Sequence, residues 1–329
     1  MFVVSQAVTC QIHKMQAKLV VHFNMKIYIY TPFAEPEIQK FKDSLAASYQ
    51  VIIGEELPIE QREEQFRTCE ICYGNPPLDW LANNETLQWL QLNSTGLDPY
   101  QKFISYNFQL TNLKGFFGQS VAETALAGIL GMYRRIDHLA RLQSEKHWVG
   151  APLRAGLHLL NKSKVLILGS GAIGLKIKEL LTGFQCDTTI LNSKTITQLT
   201  DHLPDTDILI AALPETKETI GLLSKHYLSM LQSSALFVNV GRGSAVDEDF
   251  LIQLLQGNEI FGAVLDVTEK EPLPLENPLW AMENVLLTQH SSGGWAEEAA
   301  EKVKFFLSNL KRFESREELV NNVDLTKGY

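Results

Sequence analysis

Lys164-Val-Leu-Ile-Leu-Gly-Ser-Gly-Ala-Ile-Gly174 is a short apolar run that leads directly into a G-x-G-x-x-G pattern. Downstream, Ile173, Ile177, Leu180, Leu181 and Phe184 recur at helical spacing, so the stretch reads as strand, glycine turn and amphipathic helix. In that context each glycine has a task. Gly169 permits the tight turn, Gly171 lets the backbone approach a pyrophosphate, and Gly174 lets the helix pack close to the strand. Phosphates would then meet the unpaired N–H groups where the helix begins, at Ala172 and Ile173, and there the helix dipole also favours negative charge. A ligand-free strand-to-helix turn would read the same on this stretch alone.

The alternation continues outward. Short, continuously apolar, helix-flanked runs at 164–169, 188–192, 207–212, 236–240, 260–266 and 285–288 read as buried parallel strands of a doubly wound sheet. Upstream, strands at 26–30, from Ile71 and at 89–93 alternate with helices at 35–48 and Asp79–Leu90, which describes a second, smaller α/β domain. Residues 112–118 are glycine-broken and read as a hinge. A helix is expected over 120–140, with Val121, Ala125, Gly128 and Met132 on one face, small enough for a second helix or a subunit partner to come close. A loop carrying Pro152 follows over 148–158. The last helix, Trp295–Glu314, places Ala299, Val303, Phe306 and Leu310 on one face and is expected to return to the N-terminal domain. In residues 1–24, Gln6, Gln11, His13, Lys14 and Lys18 interrupt every apolar run, so no signal-peptide core forms and a poorly ordered extension is expected.

Composition narrows the function classes. At 329 residues the chain is long enough for two domains, and 45% hydrophobic with 20% charged residues is ordinary for a globular protein. A net charge of −9 argues against a nucleic-acid surface, and no apolar run is long enough to span a bilayer. Cys69 and Cys72 have C-x-x-C spacing without a second pair or nearby histidines, so neither a zinc site nor any other metal site is expected. They read as reduced cysteines of a cytoplasmic protein, on a core strand, with a redox pair as the alternative.

Downstream motifs say what a dinucleotide would be for. Asn239-Val-Gly-Arg-Gly243, Leu265-Asp-Val-Thr-Glu-Lys-Glu-Pro272 and Thr288-Gln-His-Ser-Ser-Gly-Gly294 follow three successive strands, at the edge where open α/β sheets bind ligands. They bring an arginine, acids and one histidine to that edge. A guanidinium fork suits a carboxylate, and an acid paired with a histidine suits protonation of a developing alkoxide. This is a minimal set for reducing a 2-oxo acid. Taken singly, Arg242 could be a surface arginine, Glu269 and Glu271 a solvated loop, and His290 a capping residue.

Taken together, the chain resembles the D-isomer-specific 2-hydroxyacid dehydrogenase family, which includes glyoxylate/hydroxypyruvate reductases. The resemblance rests on Ser94-Thr-Gly-Leu-Asp98, Val121-Ala-Glu123, Gly169–Gly174, Leu213-Pro-Glu-Thr-Lys-Glu-Thr219, Asn239–Gly243, Leu265–Pro274, Asn277-Pro-Leu-Trp280 and Leu286–Gly294. It implies a Rossmann-type cofactor domain at 114–294 inserted into a flavodoxin-like substrate domain at 25–113 plus 295–329, with the active site in the cleft. By resemblance, Arg242 grips the substrate carboxylate and carbonyl, His290 donates the proton, and Glu271 pairs with His290. Asp266 would face the nicotinamide amide. Leu213, Pro214 and Val240 would line the cofactor. The Ser94–Gly96 loop, with Thr95, would bind the substrate carboxylate through backbone N–H groups, although its local sequence alone reads as an ordinary turn at Gly96. A homodimer is implied in the same way.

One departure bears on the cofactor. NAD-type folds carry an acid at the end of the second strand to bond the ribose 2′-hydroxyl. Here Asn192, Ser193 and Lys194 stand there, a neutral amide, a hydroxyl and a cation, which favours NADP(H) while leaving NAD(H) open. Two rival readings stand beside the reductase: a family dehydrogenase for another substrate, such as phosphoglycerate or formate, and a non-catalytic, corepressor-like dinucleotide-binding protein.

Overall fold

A computed structural model describes residues 25–45, 49–82, 84–97, 99–100 and 107–323. The N-terminal extension expected over 1–24 lies outside the described residues, as do Cys10 and Asp98. The chain divides into two compact units, one formed by the chain up to Leu113 together with the chain from Glu297 onward, the other by Lys114–Ala296.

The first unit contains a five-stranded sheet of β1 (Met25–Ile29), β2 (Tyr49–Ile53), β3 (Ile71–Tyr73), β4 (Trp89–Gln91) and β5 (Gln109–Thr111), in the order β2-β1-β3-β4-β5 with every pairing parallel. This is the strand order of flavodoxin-like folds. Alternate side chains on each strand serve opposite faces. Ile27, Ile29 and Trp89 pack with Phe41 of α1 (Glu35–Leu45) and Phe306 of the C-terminal helix Glu298–Glu314, whereas Tyr28, Cys72 and Leu90 pack with Phe66 of α2 (Ile59–Phe66). The indole of Trp89 stacks on Phe306 with ring centroids 5.1 Å apart, so the C-terminal helix is built into the core of the first unit.

Three expectations about this unit need correction. β2 and α2 carry no strong sequence signal and are additions to the expected elements. The helix expected over Asp79–Leu90 is a single turn, α3 (Leu78–Leu81), because the Asn84 side-chain oxygen accepts the Thr86 and Leu87 N–H groups and diverts the backbone into a turn before β4. Of the two cysteines, only Cys72 lies on a strand; Cys69 precedes it. Both are free and fully buried, and burial pushes the Cys69 thiol up to about 11 and Cys72 well above its ordinary value. Such thiols are poor nucleophiles.

The second unit holds six parallel strands: β6 (Lys164–Leu168), β7 (Asp187–Leu191), β8 (Ile208–Ala211), β9 (Leu236–Asn239), β10 (Gly262–Leu265) and β11 (Val285–Leu287). Their order is β11-β10-β9-β8-β6-β7. The chain goes from β6 outward to β7, then crosses back to place β8 on the other side of β6. The order therefore reverses between β6 and β8, the switch point at which such sheets bind ligands. Register matters as much as order. Leu168 pairs with Ala211, Ala211 with Asn239, Asn239 with Leu265, and Leu265 with Leu287. Leu168 also pairs with Leu191, so all six strand ends are level, and the residue after each opens a loop on one edge.

The helix expected over 120–140 is two: α4 (Gly118–Arg134) and α5 (Ile136–Ser144), with Arg135 between them in the left-handed region at φ 53°. An arginine there gives no sequence warning, since glycine is the residue that usually marks such a cap. The small-residue face of α4 is covered within its own unit. A Cβ on Gly128 would lie 2.5 Å from Val264, and one on Gly118 3.4 Å from Ala172. That face therefore says nothing about a subunit partner. No helix among the described residues is long and apolar enough to cross a membrane.

Candidate active site

The glycine turn after β6 is shaped by backbone crowding. Gly169 sits at φ +111°, and a Cβ there would lie 2.4 Å from the Ala212 carbonyl oxygen. A Cβ on Gly174 would fall 2.0 Å from the Gly169 carbonyl oxygen. Only hydrogen fits at either place. Gly171 differs: a Cβ on it would meet nothing within 4 Å. The protein itself does not require glycine at that point, so the opening fits close approach by a bound phosphate. Next to it begins α6 (Ala172–Leu181), with no side chain capping its N terminus.

The Gly169 N–H donates to the Leu191 carbonyl, which ties the end of β7 to the glycine turn. There the Asn192 side-chain oxygen accepts the Lys194 N–H at 2.9 Å, and the Asn192 N–H donates to the Thr195 hydroxyl. This Asx turn turns the acceptor end of the amide inward and holds Ser193 and Lys194 exposed.

Arg242 is fixed by its two glycines. A Cβ on Gly241 would lie 2.5 Å from the Leu213 nitrogen, and one on Gly243 would lie 2.0 Å from the Thr268 oxygen. The loop after β9 is therefore wedged between the loops after β8 and β10. Asn239 closes it, its oxygen accepting the Gly241 N–H and its NH2 donating to the Arg242 carbonyl. The Arg242 guanidinium donates to the Gly241 carbonyl at 2.9 Å, which sets its direction. Gly243→Ala should lower unfolding free energy by about 3 kcal/mol in a denaturant titration, because the Cβ would meet backbone that cannot yield. An unchanged midpoint would mean that these loops separate easily.

His290 is held by the loop before it. Gln289 and His290 both adopt left-handed backbone, at φ 55° and 53°. Asp266, 4% exposed, stabilises that turn: its carboxylate accepts the Thr288 hydroxyl at 2.7 Å, the Ser291 and Ser292 N–H groups at 3.2 Å, and the Ser292 hydroxyl. The His290 N–H donates to the Asp266 carbonyl. Asp266 is thus committed to the turn that carries His290, a role that its sequence context does not reveal. His290 Nδ1 lies 2.6 Å from Glu271 Oε2, and Glu271 Oε1 accepts the Thr268 N–H at 3.1 Å. Glu271 thus engages Nδ1 and not Nε2, the second ring nitrogen. Burial and the neighbouring Glu269 raise the Glu248 carboxyl above its ordinary range, against the effect of the Glu269 N–H bond. No cluster of metal-ligating side chains occurs among the described residues.

Gly169, Gly171, Ala172, Ile173, Gly174, Asn192, Ser193, Lys194, Leu213, Pro214, Val240, Arg242, Asp266, Glu271 and His290 all belong to the second unit and follow the level strand ends. Ser94, Thr95 and Gly96 belong to the first unit, after β4. Their loop is braced by Asn75, whose NH2 donates to the Ser94 hydroxyl and whose oxygen accepts the Asn93 N–H, and by Asn112, which donates to the Thr95 carbonyl.

A family model described as D-isomer specific 2-hydroxyacid dehydrogenase, NAD binding domain, matches residues 126–292. The chain belongs to the D-isomer-specific 2-hydroxyacid dehydrogenase family. A glyoxylate/hydroxypyruvate reductase A of Escherichia fergusonii is 30% identical over 274 residues, covering 78% of this chain and 86% of that protein. A second, from an Enterobacter species, is 32% identical over 223 residues, covering 64% of this chain and 70% of that protein. The crystal structure of a D-isomer specific 2-hydroxyacid dehydrogenase from Xanthobacter autotrophicus, in complex with NADPH and MES, aligns with a TM-score of 0.76 at 26% identity, covering 93% of this chain and 99% of that one. As a member of this NAD(P)-dependent family the chain is an oxidoreductase with a Rossmann-like NAD-binding domain.

Several groups that build the site escape sequence reading. The Thr288 and Ser292 hydroxyls and the Ser291 and Ser292 backbone N–H groups bind Asp266, and the Thr268 backbone N–H binds Glu271. The signal for Asn239 is present, since an asparagine two residues before a glycine is a common Asx turn.

Proposed function

We propose that the protein reduces a small 2-oxo acid, such as glyoxylate or hydroxypyruvate, to the D-2-hydroxy acid, with NADP(H) as the favoured cofactor. The observation that carries the reading is the His290–Glu271 pair, 2.6 Å apart, on the same sheet edge as Arg242 and the glycine turn. Bound nicotinamide dinucleotide would supply the hydride. Gly169, Gly171, Gly174 and the start of α6 would hold its pyrophosphate; Leu213, Pro214 and Val240 lie at neighbouring strand ends.

Arg242 grips the substrate carboxylate with its guanidinium fork and polarises the carbonyl. As negative charge develops on the carbonyl oxygen, His290 gives it the Nε2 proton. Glu271, bonded to Nδ1, keeps the ring oriented. The Ser94–Gly96 loop is proposed as a further carboxylate-binding element of the first unit. Homodimerisation rests on the family resemblance, and a cytoplasmic location on the reading of Cys69 and Cys72 as reduced.

The test is loss of nicotinamide absorbance with NADPH or NADH across a panel of 2-oxo acids. Fast NADPH oxidation with glyoxylate or hydroxypyruvate supports the reading. Tight cofactor binding without turnover of any acid would instead favour a binding protein on this fold.

The cofactor preference has its own prediction. Asn192→Asp preserves the acceptor for the Lys194 N–H and adds a charge that repels a 2′-phosphate. The NADPH/NADH ratio of kcat/KM should fall by about 10-fold or more, the scale of one charge-assisted hydrogen bond. A ratio that does not fall would show that this strand end does not read the ribose.

A further inference from the structure

Glu248 has no part in the chemistry proposed above, yet it is bonded to the loop that carries Glu271. It opens helix α9, once α7 (Leu199–His202) and α8 (Lys225–Leu228) are counted, which runs Glu248–Gln256 directly after the Gly243–Val246 turn. Asp247 already caps that helix, accepting the Phe250 N–H, so the Glu248 carboxylate is not needed as a cap. It reaches across to the loop between β10 and β11. Its Oε2 accepts the Glu269 N–H at 2.8 Å, and its Oε1 accepts from the Asn277 side chain at 3.4 Å. Asn277 in turn uses its oxygen to cap the turn that begins at Pro278. One carboxylate thus holds the Thr268–Asn277 loop near its start and at its end.

Between those two points stands Glu271. Its own carboxylate is oriented by the Thr268 N–H on one oxygen and meets His290 with the other. The Thr268 hydroxyl also bonds the Lys270 carbonyl, so the stretch from Thr268 to Glu271 is a turn closed by its own hydrogen bonds. Glu271 and His290 are both substantially exposed, with side chains 36% and 53% accessible, so packing alone does not hold the pair together. What fixes the turn is the Gly243 backbone beneath Thr268 and the Glu248 carboxylate at Glu269.

We propose that Glu248 is a positioning residue for the His290 acid: by tying the Thr268–Asn277 loop to the start of α9, it sets Glu271 against the imidazole. The proposal rests on the roles given above to His290 and Glu271. Glu248 touches no reacting atom; it acts through Glu271.

The test uses the full chain with Glu248→Ala, Glu248→Gln and Asp249→Ala, each also in a Glu271→Gln background. Asp249 lies on the same first helical turn and controls for the loss of a helix-dipole charge. Glu248→Ala should lower kcat on the order of 10- to 100-fold, as small misplacements of catalytic groups do, with KM and cofactor affinity nearly unchanged. Glu248→Gln keeps an acceptor for the Glu269 N–H and should restore much of the rate. Asp249→Ala should leave it unchanged. In the Glu271→Gln background, Glu248→Ala should add no more than about a twofold effect, because the residue it serves is already gone. Independently of turnover, the ring 15N shifts of His290, assigned with a His290→Asn sample, should move in Glu248→Ala toward those of Glu271→Gln. Undiminished loss of rate in the Glu271→Gln background, or unmoved His290 shifts, would overturn the proposal. Should wild-type protein turn over no 2-oxo acid, the functional reading fails while the 15N shifts still decide this one. Should Glu248→Ala not fold, Glu248→Met, which keeps the side-chain length but removes the acceptor for the Glu269 N–H, carries the same shift measurement.

Discussion

Replacing His290 with asparagine should lower kcat by about two to four powers of ten, the usual contribution of a positioned general acid, and leave cofactor affinity near normal. Asparagine is a better probe than alanine for a structural reason. His290 sits at φ 53°, next to Gln289 at 55°. Left-handed backbone costs an ordinary side chain about 1–2 kcal/mol, while asparagine visits it readily. The His290→Asn protein would keep the turn and the Asp266 bonds to Ser291 and Ser292, and would lose only the proton donor. Stopped-flow absorbance with saturating NADPH reads the rate, and fluorescence titration reads the cofactor. Collapse of cofactor binding instead would make His290 part of the cofactor scaffold rather than the acid.

How much of this is legible in the sequence differs between the two units. In the second, strands β6 and β8 to β10 are buried apolar runs bounded by glycine or polar turns, and a covered parallel sheet demands that pattern. Their level ends follow from pairing, so motifs far apart in sequence can be expected on one edge. In the first unit the strands are as short as three residues, and β2, at the sheet's edge, is only partly buried. Edge position and brevity weaken the apolar signal on which strand reading depends. Arg135 shows another limit. Whether a chain continues as helix or turns through left-handed backbone at a non-glycine residue is decided by tertiary packing, which local sequence does not carry.

Within the site, residue types are easier to read than their partners. Arg242, Glu271 and His290 stand out because a cation, an acid and an imidazole follow successive strands. Asp266 also stands out, but its type does not reveal its bonds. The carboxylate accepts from Thr288, Ser291 and Ser292 because the following strand ends one position away, and that adjacency is a property of sheet order. Glu248 is the extreme case. An acid in the first turn of a helix has a sufficient local explanation in the helix dipole, so nothing in the sequence directs attention to Glu269 or Asn277.

Arg242→Ala should cost on the order of 10² to 10⁴ in kcat/KM for a 2-oxo acid, the equivalent of two charge-assisted hydrogen bonds at about 1.5–3 kcal/mol each. The fold should tolerate the change, since Gly241 and Gly243, not the arginine side chain, are the residues wedged against Leu213 and Thr268. Arg242→Lys separates charge from geometry. The guanidinium bonds the Gly241 carbonyl through one of its terminal nitrogens, and an ammonium cannot reproduce the planar pair of parallel donors that the fork offers. Lysine should therefore recover only part of the loss, and mainly in KM. An aldehyde lacking the carboxylate supplies the internal control: its turnover, slow in the wild type, should change far less in Arg242→Ala than turnover of the oxo acid does. Equal losses on both substrates would assign Arg242 to the carbonyl alone, and loss of NADPH affinity would move it out of the substrate site altogether.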